Sequence, residues 1–207
     1  MKKIFASLAL LLLMNVAFLS CKKTDNNQNN NSITSSFYFT ADINGTKVTY
    51  EDGKNGYGSG AGASSGTIPA GCEKEQSLII RALSVRECAG VLILKTFSDC
   101  IVQCSELKTM FHVGTYTYGK GSRSTSQNGI DGVVVYYVDK DGVQWFSDKG
   151  TATQTNSSFK IVEHIDNTDG YSAKITKATF NCTLYDGNGN SKTLTNGEIR
   201  GRSDTCM

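Results

Sequence analysis

The sequence predicts an all-β fold: an antiparallel β-sandwich or partly open barrel of about ten strands. Three observations predict it. After residue 36, apolar and polar residues alternate with period two in one short segment after another. Turn residues punctuate those segments: Asn44-Gly45, Asp139-Lys140-Asp141-Gly142 and Asp186-Gly187-Asn188-Gly189-Asn190. The strand–helix–strand alternation that builds parallel sheets does not occur.

The chain begins differently. Met1-Lys2-Lys3 is a short basic opening, and Ile4 to Leu19 is apolar apart mainly from Ser7 and Asn15. That run is too short for a bilayer-spanning helix, which needs roughly 20 apolar residues. A short apolar stretch behind a positive start is the pattern of a secretory signal peptide. Phe18-Leu19-Ser20-Cys21 closes it and resembles the lipobox of bacterial lipoproteins, with Phe18 where Leu is commoner. Residues 1–20 are therefore expected to be removed. The Cys21 thiol is then expected to carry the lipid, with palmitate among its chains. One acyl chain anchors marginally, at roughly 0.8 kcal/mol per buried methylene, and two or three anchor stably.

Residues 21–36 read as a disordered tether. Thr24-Asp25-Asn26-Asn27-Gln28-Asn29-Asn30-Asn31-Ser32 has almost nothing to bury. Residues 37–207 read as the folded domain. Phe37, Phe39, Ala41 and Ile43 alternate with polar residues up to Asn44-Gly45, and Lys47-Val48-Thr49-Tyr50 follows, a β-hairpin signature. Asp52 to Gly71 is rich in Gly and Ser and contains Pro69, the single proline, so it reads as a long loop. Ser77–Leu83 and Val91–Phe97 are near-continuous apolar runs and read as central strands. Ile101, Cys104, Leu107 and Phe111 recur at helical spacing, so one short helix is expected near 100–110. Strands are expected again at Gly114–Tyr118, Gly132–Val138, Val143–Ser147, Thr151–Thr155, Phe159–Ile165, Tyr171–Tyr185 and Lys192–Arg200.

Charge narrows the function classes. The chain has 21 Lys and Arg against 19 Asp and Glu. Removing Lys2 and Lys3 leaves 19 of each, a net charge of zero. Nucleic-acid binding rests on neutralising phosphates with basic residues, so no nucleic-acid partner is expected. With Cys21 set aside, Cys72, Cys88, Cys100, Cys104, Cys182 and Cys206 remain as disulfide candidates in an oxidising compartment. Sequence order pairs Cys72 with Cys88 and Cys182 with Cys206. A metal site is the competing reading, but Cys100-x3-Cys104 lacks a partner pair, and His112 and His164 have no ligand spacing. No metal and no cofactor are expected.

Several motifs could carry chemistry. Gly114-Thr-Tyr-Thr-Tyr-Gly119-Lys120 begins like a phosphate loop, but Gly121 stands where Ser or Thr must follow the lysine. Asp186, Asn188 and Asn190 offer alternate oxygens to a cation such as calcium, yet Ser191 and Gly197 break the EF-hand pattern, and a hairpin turn has the same composition. No nucleophile elbow is present, and His112 and His164 read as a boundary residue and a strand residue. Glu163, Asp166, Asp169, Glu198 and Asp148 have no spacing that selects a glycosidase pair. Tyr116, Tyr118, Tyr136, Tyr137, Trp145 and Phe146 cluster in sequence. Tyr136, Tyr137 and Trp145 are the candidate ligand-contact aromatics, with core filling as the alternative.

The run Phe37-Tyr-Phe-Thr-Ala-Asp-Ile-Asn-Gly-Thr-Lys-Val-Thr-Tyr50, the Gly114-Thr115-Tyr116 strand and the closing Thr195-Asn196-Gly197-Glu198-Ile199 resemble a group of uncharacterised Bacteroidota lipoproteins. The resemblance implies a β-sandwich domain and no catalytic set. It carries over no functional residue except Cys21. The six other cysteines and the Gly-rich stretch depart from that group. The expected function is a non-catalytic binding module of the cell envelope, lipid-anchored at the outer membrane, with a glycan, a peptide or an envelope protein as partner. The alternatives are a glycan-acting hydrolase and a structural subunit of an outer-membrane complex. Lys22-Lys23 stands where a surface-export signal would be acidic, so the side of the membrane stays open.

Overall fold

The computed structural model describes residues 33–68, 71–82, 87–98, 100–101, 103–120, 130–149, 154–168 and 174–203. The fold is all-β with one short helix. Its strands are β1 (Tyr38–Ile43), β2 (Thr46–Glu51), β3 (Tyr57–Ile68), β4 (Gly71–Ala82), β5 (Cys88–Phe97), β6 (Gly114–Tyr116), β7 (Gly132–Val138), β8 (Gln144–Phe146), β9 (Ser158–Asp166), β10 (Lys174–Tyr185) and β11 (Ser191–Ser203); α1 is Cys104–Met110. All eleven strands belong to one sheet, in the order β2-β1-β11-β10-β8-β7-β5-β4-β3, with β6 and β9 branching from β10. The ladders between named strands are antiparallel. The sheet curls back on itself, so that β11 meets the last strand, β3, where the Arg202 N–H donates to Ser59 Oγ at 3.3 Å. The result is a nearly closed barrel.

Alternation along each strand fills the interior. Phe39, Ala41 and Ile43 of β1, Leu78 and Ile80 of β4, Ala89, Val91 and Ile93 of β5, and Val133, Val135 and Tyr137 of β7 share one core with Ala178, Phe180, Cys182 and Leu184 of β10. Leu107, Met110 and Phe111 bring α1 into that core. Opposite it, on the other sheet face, Leu92, Leu94 and Val134 form a small second cluster with Tyr136 and Phe146. Among the described residues no helix is long and apolar enough to cross a membrane.

The Asn-Gly hairpin forms as its sequence requires, with Asn44 and Gly45 both at positive φ, 48° and 78°. Two expectations need correction. The Gly-rich stretch 52–71 is mostly strand: every residue of β3 pairs with β4, from Tyr57↔Ala82 to Ile68↔Gly71. Glycine and serine have weak β propensity of their own, and the paired neighbour overrides it. The short helix expected near 100–110 is present as α1, which starts at Cys104, where the Gln103 N–H donates to the Glu106 carboxylate at 3.4 Å. The strand expected at 151–155 is not seen in its described part, since Gln154 precedes a turn at Thr155-Asn156; residues 151–153 lie outside the described set.

The chain enters the barrel through a clamp. The N–H groups of Thr34 and Ser35 donate to Glu51 Oε2 at 2.9 and 3.1 Å, and Arg200 donates to the Ser36 carbonyl at 2.7 Å. Burial pushes the Glu51 carboxyl up, but Lys54 and the two amides outweigh it and hold it below its usual range.

Candidate functional site

The residues with the most chemistry to offer gather where β7 turns into β8. Val138 ends β7 and Gln144 begins β8, so the turn between them sets Asp139 beside Trp145. Trp145 Nε1 donates to Asp139 Oδ2 at 2.8 Å, Lys192 Nζ donates to the same oxygen at 2.8 Å, and the N–H groups of Asp141 and Val143 donate to Oδ1 at 3.1 and 3.0 Å. Lys192 comes from β11 and lies 4.2 Å from the Trp145 ring centroid. Burial raises the Asp139 carboxyl, but Lys192, Trp145 and the Val143 amide overcome it and hold it below the ordinary carboxylate range.

Next to this group lies a stack of tyrosines. Tyr50 and Tyr57 stack with centroids 4.5 Å apart, and Tyr50 and Tyr137 with centroids 6.3 Å apart. The Tyr57 hydroxyl donates to Glu87. Burial first, then neighbouring phenols and carboxylates, push Tyr50 and Tyr57 far above the usual phenol range. These hydroxyls stay protonated donors at any physiological pH. Every acceptor of Asp139 is occupied from within the chain, so the group fastens the β7–β8 turn to β11. A catalytic carboxylate needs a lone pair open to a reactant, and Asp139 keeps none open.

The three aromatics singled out from the sequence separate. Tyr137 and Trp145 are buried at 6% and 7% exposure and belong to the barrel core. Tyr136 points to the opposite face, half-buried against Phe146 with centroids 5.9 Å apart. Gly90 lies beneath it: an added Cβ would fall 2.7 Å from the Tyr136 ring. Among the described residues no aromatic side chain is exposed. The exposed large apolar side chains are aliphatic: Ile101, Val113, Ile130, Val143, Val162 and Ile165.

The cysteines also sort differently from sequence order. Cys72 is bonded to Cys100, with Cα atoms 5.1 Å apart, and Cys104 is disulfide-bonded too. Cys88 and Cys182 are free thiols, so neither Cys72–Cys88 nor Cys182–Cys206 forms. Register gives the reason. Cys72 pairs with Phe97 and Arg81 with Cys88, which sets Cys72 and Cys88 nine residues apart along the ladder, about 30 Å. Cys182 sits in the core, where burial pushes its thiol to about 12. Burial also raises Cys88, to about 11. Cys21 and Cys206 lie outside the described residues.

The remaining motifs have local roles. Asp186 Oδ1 accepts the N–H groups of Asn188 and Asn190 at 2.7 and 3.1 Å, which is how a hairpin turn uses an aspartate. Gly114–Tyr116 is the strand β6, paired with β9. His112 Nδ1 meets the Tyr116 hydroxyl at 2.9 Å, and His164 Nδ1 meets Thr176 Oγ1 at 2.7 Å. Glu163 is paired with Arg200, Glu198 with Lys177 and Tyr38, and Asp166 with Lys174. Among the described residues no group of three or more His, Cys, Asp or Glu could hold a metal ion.

Two anchoring residues escaped the sequence reading. Gln154 Oε1 accepts the Thr183 N–H at 3.0 Å, and its Nε2 donates to the Thr183 carbonyl at 2.7 Å. Its carboxamide thus takes the place of a strand residue where β10 passes from β9 to β8. Lys74 is wholly buried, ion-paired with Glu106 and donating to the Ile101 carbonyl at 2.7 Å. No sequence signal marks either, because both partners are remote in the chain.

No family model, curated protein or solved structure matches this chain.

Proposed function

We propose that the protein is a bacterial envelope lipoprotein, cut before Cys21, lipidated there, and acting as a non-catalytic binding module. The observation that carries the reading is the succession of a basic start, a short apolar run, Leu19-Ser20-Cys21 and a polar tether. The domain adds support of a different kind. Its described carboxylates near the tyrosine stack are engaged in internal bonds, and its exposed apolar surface is aliphatic. Aliphatic surface suits a protein partner better than a sugar ring, which stacks on aromatic faces. Val162 and Ile165 mark the most suitable place. They lie on β9 beyond the three residues that β6 covers, on a segment whose only named partner strand is β10. An envelope protein or peptide is therefore the partner class. The proposal places the protein in the outer membrane of a bacterium related to the Bacteroidota group.

Two experiments test it. Cells fed labelled palmitate should label the wild-type chain, and Cys21→Ser should abolish the label and move the protein out of the membrane fraction. Label surviving in Cys21→Ser would remove the lipoprotein reading. Crosslinked envelope extracts should yield a partner protein that is lost with Val162→Lys/Ile165→Lys. An unaltered partner set would remove this surface.

A further inference from the structure

We infer that the partner of the Val162 and Ile165 surface is an integral membrane protein, because that surface adjoins the point where the tether joins the fold. The inference rests on the proposed lipoprotein reading and names the partner of the same surface.

One guanidinium joins the two places. Arg200 on β11 donates through Nη2 to Glu163 Oε1 at 2.8 Å and through Nη1 to the Ser36 carbonyl at 2.7 Å. The strands bring these residues into line: Tyr38 of β1 pairs with Arg200, Arg200 with Lys177 of β10, and Lys177 with Glu163 of β9. Ile165 lies two residues beyond Glu163 and so faces the same side of the sheet. Val162 is the extra residue where the register shifts, since Lys177 pairs with Glu163 and Ala178 with Ile161. Val162 and Ile165 are 41% and 48% exposed. Val113 is 57% exposed and stands one residue before the Gly114↔Ile161 pair, on the side of Val162. The described chain begins at Ile33, three residues ahead of Ser36 and so at most about 11 Å from it.

The lipid therefore holds this end of the barrel within reach of the bilayer. Cys21 lies twelve residues before Ile33, and a chain of that length spans at most about 40 Å. A partner fixed in the same membrane meets the surface at a local concentration that a soluble partner lacks. The side chains favour a protein over the bilayer itself. Arg200, Lys177 and Lys174 are paired with Glu163, Glu198 and Asp166, so they have little charge to offer anionic headgroups. Lys160 adds one exposed cation. Interfacial docking also uses Trp and Phe, and among the described residues no Trp, Tyr or Phe side chain is exposed.

Photocrosslinking in living cells tests this. A benzophenone amino acid replaces Ile165 in the full-length chain. In a control it replaces Asn188, between the end of β10 at Tyr185 and the start of β11 at Ser191, far from the tether. The adduct at position 165 is expected to be a protein, and peptide sequencing should identify it as one with bilayer-spanning helices or strands. Position 188 should give little of it. A Gly/Ser insertion of about 24 residues between Ser32 and Ile33 triples the tether, and the yield per anchored chain should fall about fivefold, as the −3/2 power of length. An adduct with phospholipid, a partner without a spanning segment, equal yields at 165 and 188, or a yield indifferent to the insertion overturns the inference. Absence of any adduct at 165 removes the surface as well. Palmitate labelling of the same cells separates the two readings. A labelled chain bound to a soluble partner sinks this inference alone, and an unlabelled chain sinks the lipoprotein reading on which it stands.

Discussion

Single side chains complete this barrel where its ladders stop. Gln154 stands in for backbone at Thr183, and leaving that amide and carbonyl without the carboxamide costs the desolvation of buried polar groups. Gln154→Leu should lower stability by about 1 to 3 kcal/mol in urea denaturation; an unchanged midpoint would show that water replaces the side chain. Gly197 has a steric role. It sits on β11 where the register shifts against β10, and an added Cβ would lie 2.7 Å from the Phe180 ring and 2.6 Å from Leu194. Gly197→Ala should cost about 1 to 3 kcal/mol by overpacking, read as a lower Tm. Asp139 sets a pH dependence. Its folded carboxyl lies below the unfolded value, so its contribution is complete above the unfolded pKa of about 3.9. That contribution is lost as pH falls through the folded pKa. Asp139→Asn should therefore flatten the acid limb of a Tm-against-pH curve. An acid limb as steep as in the wild type would assign that limb to other groups.

At the scale of elements, α1 has too few residues to persist alone, since isolated helices shorter than about 12 residues are marginal in water. It persists because Leu107, Met110 and Phe111 pack into the barrel and because Lys74 reaches Glu106 from inside β4. Lys74→Ala leaves Glu106 without its ion-pair partner and should destabilise by about 3 kcal/mol or more. Lys74→Met, which refills the volume, should lose less. Equal losses in chemical denaturation would place the whole effect in the ion pair, which both variants remove, and none of it in packing. The Cys72–Cys100 bond fastens the same corner across a separation of 28 residues. Chain entropy predicts a loss of about 3 to 4 kcal/mol for Cys72→Ser/Cys100→Ser, measurable as a fall in Tm. A Tm equal to the wild type would mean that β4 and β5 hold the corner unaided. The alternating segments β1 and β9 were legible because one face of each is buried, and β7 was legible as a run of β-formers that is buried on both faces. β3 was not: Gly58, Ser59, Gly60, Ala61 and Gly62 carry no hydrophobic period. Its strand character comes from twelve paired residues on β4.

At the scale of the whole molecule, the sheet order decides which side chains meet. Tyr50 on β2 and Tyr57 on β3 are close in sequence, whereas Tyr137 on β7 is remote from both, and it joins their stack because the sheet curls back on itself. The candidate aromatics were found by their crowding along the chain, and that crowding proved to be hairpin geometry. Trp145 pairs with Tyr137 across β7 and β8, and both face inward. The sequence by itself determined the features that depend on neighbours in the chain: the all-β class, the Asn-Gly hairpin and the Asp186 turn; the lipid at Cys21 is a proposal that rests on the same kind of local pattern. Each follows from local backbone preference or local hydrophobic period. Only the tertiary structure decided the disulfide partner of Cys72, the burial of Tyr137 and Trp145, the ion pair of Lys74, and the strand in the Gly-rich stretch. Those depend on which residues the closing sheet brings within bonding distance, and ladder register fixes that distance where local composition cannot.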